Sequence, residues 1–315
     1  MNQIHYADRV CLEIKRKQSH AVIGLDPVIE RLPVFILKDA EQNFGKNDKG
    51  AAAAFIAFNR LIIDAIEPFV AIVKPQLAYY EVYGAAGLDA YWQTVDYAQK
   101  KGLIVIADAK RGDIDSTASA YARSFFGDPS NEWQTPKKVD SLTINPYLGS
   151  DSLEPFVEQA IAKQTGLFIL VKTSNPSSGD LQDVVTQKGT IAEQVAQLVH
   201  NYALRDIGTS GYSSIGAVVG ATYPEEQRLF REAMPSSLFL VPGYGTQGGT
   251  GKDITNAFNS DGFGALISAS RSIIFAYEKD EAQTLKQVQS SIINAVKTMN
   301  MDINTALKNV NKLNW

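Results

Sequence analysis

Eight short apolar runs recur along the chain, and the spacing leaves room for a helix between each pair. They are 20–26 (HAVIGLD), 70–76 (VAIVKPQ), 102–108 (GLIVIAD), 141–147 (SLTINPY), 166–172 (GLFILVK), 214–220 (SIGAVVG), 238–243 (LFLVPG) and 265–270 (ALISAS). Each is almost continuously apolar and rich in Val and Ile, which is how a strand buried on both faces reads. Helical periodicity fills the gaps. AAAAFIAFNRLIIDAIEP (51–68) carries apolar residues at 55, 58, 62 and 66. LDAYWQTVDYAQKKG (88–102) ends in a cation-rich turn and a glycine stop. Segments 151–164, 190–207 and 223–234 are patterned alike, with Ser150 or Asp151 expected to cap the first. Eight strands alternating with helices predict a (β/α)8 TIM barrel, for which about 250 residues is typical. The doubly wound open sheet is the rival, and the strand count favours the barrel. With no internal repeat, low-complexity tract or Pro-rich linker, residues 1–315 read as one domain. The surplus length falls in an insertion near 28–50, in 174–189 (SNPSSGDLQDVVTQKG) and in a C-terminal helical segment after 276.

Composition narrows the function classes. The 315 residues are 45% hydrophobic and 20% charged, so the chain as a whole is not disordered. Thirty Lys and Arg against 34 Asp and Glu give a net charge of −4, which argues against wholesale nucleic-acid binding. Cys11 is the single cysteine, so no intrachain disulfide forms, as suits a reducing compartment. No apolar run reaches the roughly 18 residues of a membrane helix, and the first residues lack a signal-peptide core. The expected location is the cytoplasm. None of the three histidines, His5, His20 and His200, falls at the C-terminal end of a predicted strand, so neither a His-based triad nor a His-rich metal site is expected. GYGTQG (243–248) matches Gly-x-Gly-x-x-Gly, but it follows a late strand and no acid closes the next one, so a dinucleotide site is rejected. Arg111-Gly112-Asp113 is read as a chance match to an adhesion tripeptide.

Charges gather where the predicted strands end. Asp26 closes the first strand, Lys74 the second, and ADAKRGDI supplies Asp108, Lys110 and Asp113 at the third. Asp108 and Lys110 are two apart, so extended geometry points both the same way. In a barrel the ends of successive strands are neighbours and form the active face. Asp26, Lys74, Asp108 and Lys110 are therefore expected to converge, and charges so placed need partners or a function. A second cluster, PGYGTQGGTGKD (242–253) with Arg271, lies after strands seven and eight, where such barrels often bind phosphate. Together the clusters suggest a phosphorylated small molecule.

The wording ADAKRGDI resembles the signature of the orotidine 5′-phosphate decarboxylase family, in particular its longer bacterial branch. GLDP, VKPQ, KTSNP (172–176), PGYGTQGG and SRS extend the resemblance along most of the barrel. The resemblance implies decarboxylation of orotidine 5′-phosphate to UMP without a cofactor or metal. It implies an alternating array of Lys74, Asp108, Lys110 and Asp113, with Asp113 acting in the neighbouring subunit's site of a homodimer and Thr117 joining it at the ribose. Asp26 would bind a ribose hydroxyl, Ser174 the pyrimidine amide and Pro242 the base, while Gln247 and Arg271 would hold phosphate. Orotidine 5′-phosphate and UMP are the implied partners, with no nucleic acid and no membrane.

Three other readings compete. Metal-dependent phosphosugar enzymes on this scaffold place an acid at the end of strand two, where this chain has Lys74. A Schiff-base aldolase needs a lysine of lowered pKa, and neighbouring carboxylates raise it. A catalytically dead phosphosugar-binding module would not require so costly a cluster of charges.

Overall fold

The computed structural model describes residues 4–128, 133, 135, 138–221, 224–245 and 249–315. Eight parallel strands close into a barrel. They are β1 (Ala21–Leu25), β2 (Ile72–Pro75), β3 (Ile104–Arg111), β4 (Ser141–Ile144), β5 (Gly166–Lys172), β6 (Ser213–Val219), β7 (Ser237–Val241) and β8 (Ala265–Ala269). Each pairs with its sequence neighbours, and β1 pairs with both β2 and β8 to close the ring. All eight overlap the apolar runs, because a run that is apolar at consecutive positions can bury both of its faces at once.

The helices are α1 (Tyr6–Lys17), α2 (Val34–Phe44), α3 (Asp48–Ile66), α4 (Leu77–Glu81), α5 (Gly84–Lys100), α6 (Asp115–Phe126), α7 (Ser150–Lys163), α8 (Ile191–Ala203), α9 (Pro224–Ala233), α10 (Arg271–Ile274) and α11 (Leu285–Asn309). Alternate strand residues divide between two cores. Val73, Val105, Ile169 and Ile267 pack outward against the helices. Val22, Ile72, Ile106, Phe168 and Leu240 face the barrel interior and share a core with α1. Helix α1 plugs the end where the strands begin. The Tyr6 hydroxyl donates to Ser141 Oγ at 2.9 Å. Its ring occupies the space beside Gly166, where a Cβ would come within 2.2 Å of it.

One local expectation is corrected. Neither Ser150 nor Asp151 caps α7: the N-cap is Gly149, whose φ of 96° suits glycine, and no side chain completes the cap. The region after 276 holds a 3-10 turn, Ala276–Glu278, and then one 25-residue helix that starts at a Thr284–Gln287 capping box. Helices α4 and α6 begin within a few residues of the charged ends of β2 and β3. Segment 174–189 is ordered. It holds a 3-10 turn, Pro176–Asp180, and a two-residue ribbon, Val185–Thr186 against Gly189–Thr190. Residues 28–50 hold a 3-10 turn, α2 and the start of α3.

Among the described residues, no helix is long and apolar enough to cross a membrane.

Candidate active site

The barrel alternation sets the site. On β2, Ile72 faces the interior, so Lys74 does too; on β3, Ile106 places Asp108 likewise. Parallel registry brings the strand ends level: Gly24 pairs with Lys74, and Gln76 bridges to Asp108. Lys74 Nζ lies 2.6 Å from Asp108 Oδ2, and Lys110 Nζ lies 2.6 Å from Asp108 Oδ1. One carboxylate is thus shared between two ammonium groups. Burial alone would push the Asp108 pKa up; Lys74 and Lys110 outweigh it, and the net shift is well below the usual carboxylate range. Burial likewise opposes the charge of Lys74, but Asp108 and Asp26 prevail and its pKa rises.

Lys110 does not reach Asp108 by the extended alternation expected from its spacing. Between Ala107↔Leu142 and Arg111↔Ile144, β3 advances four residues while β4 advances two. Lys110 sits at the resulting bulge with φ 47°, a left-handed conformation costly for a residue with a Cβ. Thr143 of β4 holds this bulge. Its hydroxyl donates to Asp108 Oδ1 at 3.0 Å and accepts from the backbone N–H groups of Ala109 and Lys110 at 3.1 and 3.0 Å. Sequence reasoning missed Thr143. Its signal was the interior parity of a polar residue in SLTINPY.

Asp26 joins the cluster from β1. Burial raises its pKa, against the attraction of Lys74. Its Oδ1 is buried without a hydrogen-bond partner, and so is Ser270 Oγ. Ser270 is close enough to lower the Asp26 pKa, but the two do not meet in hydrogen-bond geometry. The space for this pair comes from Gly24, where a Cβ would fall 2.6 Å from that of Ser270. Ser270 figures in the sequence only as part of SRS, without a role of its own.

The other sequence-predicted residues that the structure describes follow the C-terminal ends of β3, β5, β7 and β8. Asp113 follows β3 and forms no ion pair among the described residues; its Oδ1 accepts from the Ile114 N–H at 2.8 Å. Thr117 is exposed on the first turn of α6. Ser174 follows β5 and packs on Gly220, whose missing Cβ would lie 3.2 Å from the Ser174 backbone. The Pro242 carbonyl accepts from the Ala221 N–H at 2.8 Å, which ties the ends of β6 and β7 together. Gly243 and Gly245 have φ of 105° and 78°, and a Cβ on Gly245 would lie 3.1 Å from Ser272 Oγ, so the loops after β7 and β8 touch. Arg271 is exposed at the start of α10. Gln247 lies outside the described residues.

Among the described residues, no group of three or more His, Cys, Asp or Glu is arranged to hold a metal ion. A cavity of about 460 Å³ bounded by Ile29, Leu37, Ala54 and Tyr83 contains none of the clustered charges, so charge rather than volume marks the site.

This arrangement can hold a negative charge that develops above Lys110 and supply it with a proton. The model of the orotidine 5′-phosphate decarboxylase / HUMPS family matches residues 56–288. An orotidine 5′-phosphate decarboxylase of Rhodopirellula baltica is 42% identical over 303 residues, covering 96% of this chain and 99% of that one. A Toxoplasma gondii structure assigned to orotidine-monophosphate decarboxylase superposes with a TM-score of 0.77 at 28% identity, covering 97% of this chain and 98% of that one. Leishmania donovani UMP synthase is 31% identical with a TM-score of 0.74, over 96% of this chain and 57% of that longer one. The chain belongs to the orotidine 5′-phosphate decarboxylase / HUMPS family.

Proposed function

We propose that the chain decarboxylates orotidine 5′-phosphate to UMP and CO2 by electrostatic stabilisation. The observation that carries this reading is the network in which Asp108 bridges Lys74 and Lys110 at 2.6 Å each. When the bond to the carboxylate breaks, its electron pair stays on pyrimidine C6. The Lys110 ammonium faces that charge, stabilises it and gives it a proton; water then restores the lysine. Asp108, itself paired to Lys74, holds the Lys110 ammonium in place. The barrier reduction required is on the order of 20 kcal/mol, since the uncatalysed reaction is of the very slow kind. Lys74 also separates this chemistry from the phosphosugar branch, in which an acid ends strand two.

Roles for the surrounding residues follow from position. Asp26, with its unsatisfied Oδ1, binds a ribose hydroxyl. Ser174 contacts the pyrimidine amide and Pro242 packs on the base. Arg271, Gln247 and the glycines after β7 hold the phosphate. Binding energy from the phosphate, remote from C6, then serves orientation.

The active unit in this reading is a homodimer, with Asp113 and Thr117 contributed across the interface. Two observations support it. The Lys110 side chain is 44% exposed in one chain, too wet for strong electrostatic catalysis unless something covers it. Val82, Ile114, Tyr147 and Leu148 are exposed apolar residues in the segments after β2, β3 and β4. The whole chain acts as one barrel domain, working in the cytoplasm.

Purified protein incubated with orotidine 5′-phosphate and EDTA, followed by ultraviolet absorbance, is expected to form UMP. A requirement for added metal would instead favour the phosphosugar branch. Mixing inactive Lys110→Ala and Asp113→Ala chains is expected to restore part of the activity through hybrid dimers. No recovery, once subunit exchange is shown, would sink the shared site.

A further inference from the structure

The end of β5 carries a charge that this chemistry does not use. Lys172 is 1% exposed, a degree of burial that an ammonium tolerates only with partners. An extra residue in β5 turns it out of the alternation: Leu170 pairs with Val218, but Lys172 pairs with Val219. Its ammonium forms an ion pair with Asp183, and Glu226 of α9 lies 3.4 Å away. Burial disfavours the charge, but Asp183 and Glu226 outweigh it, so the lysine stays protonated.

Asp183 lies on the returning arm of segment 174–189. Its neighbour Gln182 grips Thr173 twice. The Thr173 N–H donates to Gln182 Oε1 at 2.9 Å, and Gln182 Nε2 donates to Thr173 Oγ1 at 2.8 Å. Gly179 leaves room for Asp183, since a Cβ there would lie 3.0 Å from its Oδ2. Lys172 and Thr173 immediately precede Ser174. Two consecutive residues are therefore stapled to the far arm, and the third is seated on Gly220.

We infer that Lys172 is a positioning residue: its ion pair with Asp183 latches segment 174–189 to the barrel wall and so sets where Ser174 meets the pyrimidine. The inference rests on the reading of Ser174 as a substrate contact. A latch of this kind acts on substrate binding more than on the proton transfer at Lys110, which lies on another strand.

The test compares Ser174→Ala, Asp183→Asn, Lys172→Met and Lys172→Arg in steady-state turnover of orotidine 5′-phosphate. Ser174→Ala is expected to raise KM about tenfold, the equivalent of one substrate hydrogen bond. Asp183→Asn and Lys172→Met are expected to raise KM by a similar factor while kcat changes less than about threefold. Lys172→Arg is expected to recover most of the loss, and Asp183→Asn in a Ser174→Ala background to add little. Asp183 is half exposed, so its variant reports on the latch even if Lys172→Met does not fold. Hydrogen exchange in 176–190 is expected to speed up in Asp183→Asn and to stay unchanged elsewhere. A raised KM for Ser174→Ala with a parental KM for Asp183→Asn would overturn the latch alone. A parental KM for Ser174→Ala would overturn the role of Ser174 and the inference with it.

Discussion

The two ends of the barrel bury similar chemical groups and treat them in opposite ways. Where the strands begin, two buried titratable side chains, Arg231 and His20, are saturated by carbonyls or kept neutral. Arg231 is buried and has no carboxylate partner among the described residues, yet its guanidinium donates to the carbonyls of Ala257, Met234, Pro235, Ser237 and Gly264 and lies 3.6 Å above the Phe239 ring. His20 is held neutral between Phe258 and Trp315, its pKa pushed down to about 3 by burial. Where the strands end, Lys74 and Asp108 stay charged, Lys110 pairs with Asp108 from a strained backbone, and Asp26 and Ser270 keep buried oxygens without partners. The lesson is that burial of a charge says little by itself. What distinguishes the site is a set of opposite charges held against one another and a strained backbone beside them; unpartnered buried atoms alone occur at both ends, as at the His20 ring nitrogens and Ser237 Oγ.

Substitutions at each end should break the comparison differently. Asp108→Asn keeps the shape but leaves Lys74 buried beside a neutral amide. It is expected to lower kcat/KM by at least about 10⁴-fold, read by turnover of orotidine 5′-phosphate. Arg231→Met strips donors from five carbonyls at the other end. Denaturant unfolding is expected to show a loss of about 3–5 kcal/mol, with kcat/KM of the remaining folded protein unchanged. If activity fell with it, the two ends would not be separable.

His20 gives the comparison a pH axis. Its folded pKa of about 3 lies below the ordinary 6.5, so the unfolded chain binds the proton first as pH drops. This contribution to stability is complete above about pH 6.5 and is lost progressively down to about pH 3. Relative to His20→Phe, the parent is expected to lose about 3 kcal/mol between pH 7 and pH 4, as read by unfolding curves at both values. Equal pH dependence in the two proteins would mean that His20 is not buried neutral. The smallest effect sharpens the active end. Thr143→Val removes the hydroxyl that braces the β3 bulge, and kcat/KM is expected to fall about 10- to 100-fold while the melting temperature changes by only a few degrees.

Much of this asymmetry was legible in the sequence, and the remainder has physical causes. The barrel could be read because strands buried on both faces leave continuous Val- and Ile-rich runs, and GLFILVK coincides with β5 residue for residue. The convergence of Asp26, Lys74, Asp108 and Lys110 followed once the strand ends were neighbours. The bulge at Lys110 could not be read, because its register depends on β4 and on the Thr143 hydroxyl. The same spacing in a regular strand would bring the same two charges together by alternation. Ser270 was hidden because its meaning depends on Gly24, which is remote in sequence. The order in 174–189 was hidden because Gln182 and Asp183 look like ordinary loop residues until β5 presents Thr173 and Lys172 to them.

The most direct test is the turnover of orotidine 5′-phosphate by Lys110→Ala, measured beside its melting temperature. If Lys110 stabilises the C6 electron pair and protonates it, kcat falls by at least about 10⁴-fold in a protein that melts within a few degrees of the parent. A folded Lys110→Ala enzyme that retains kcat within tenfold of the parent would contradict the account.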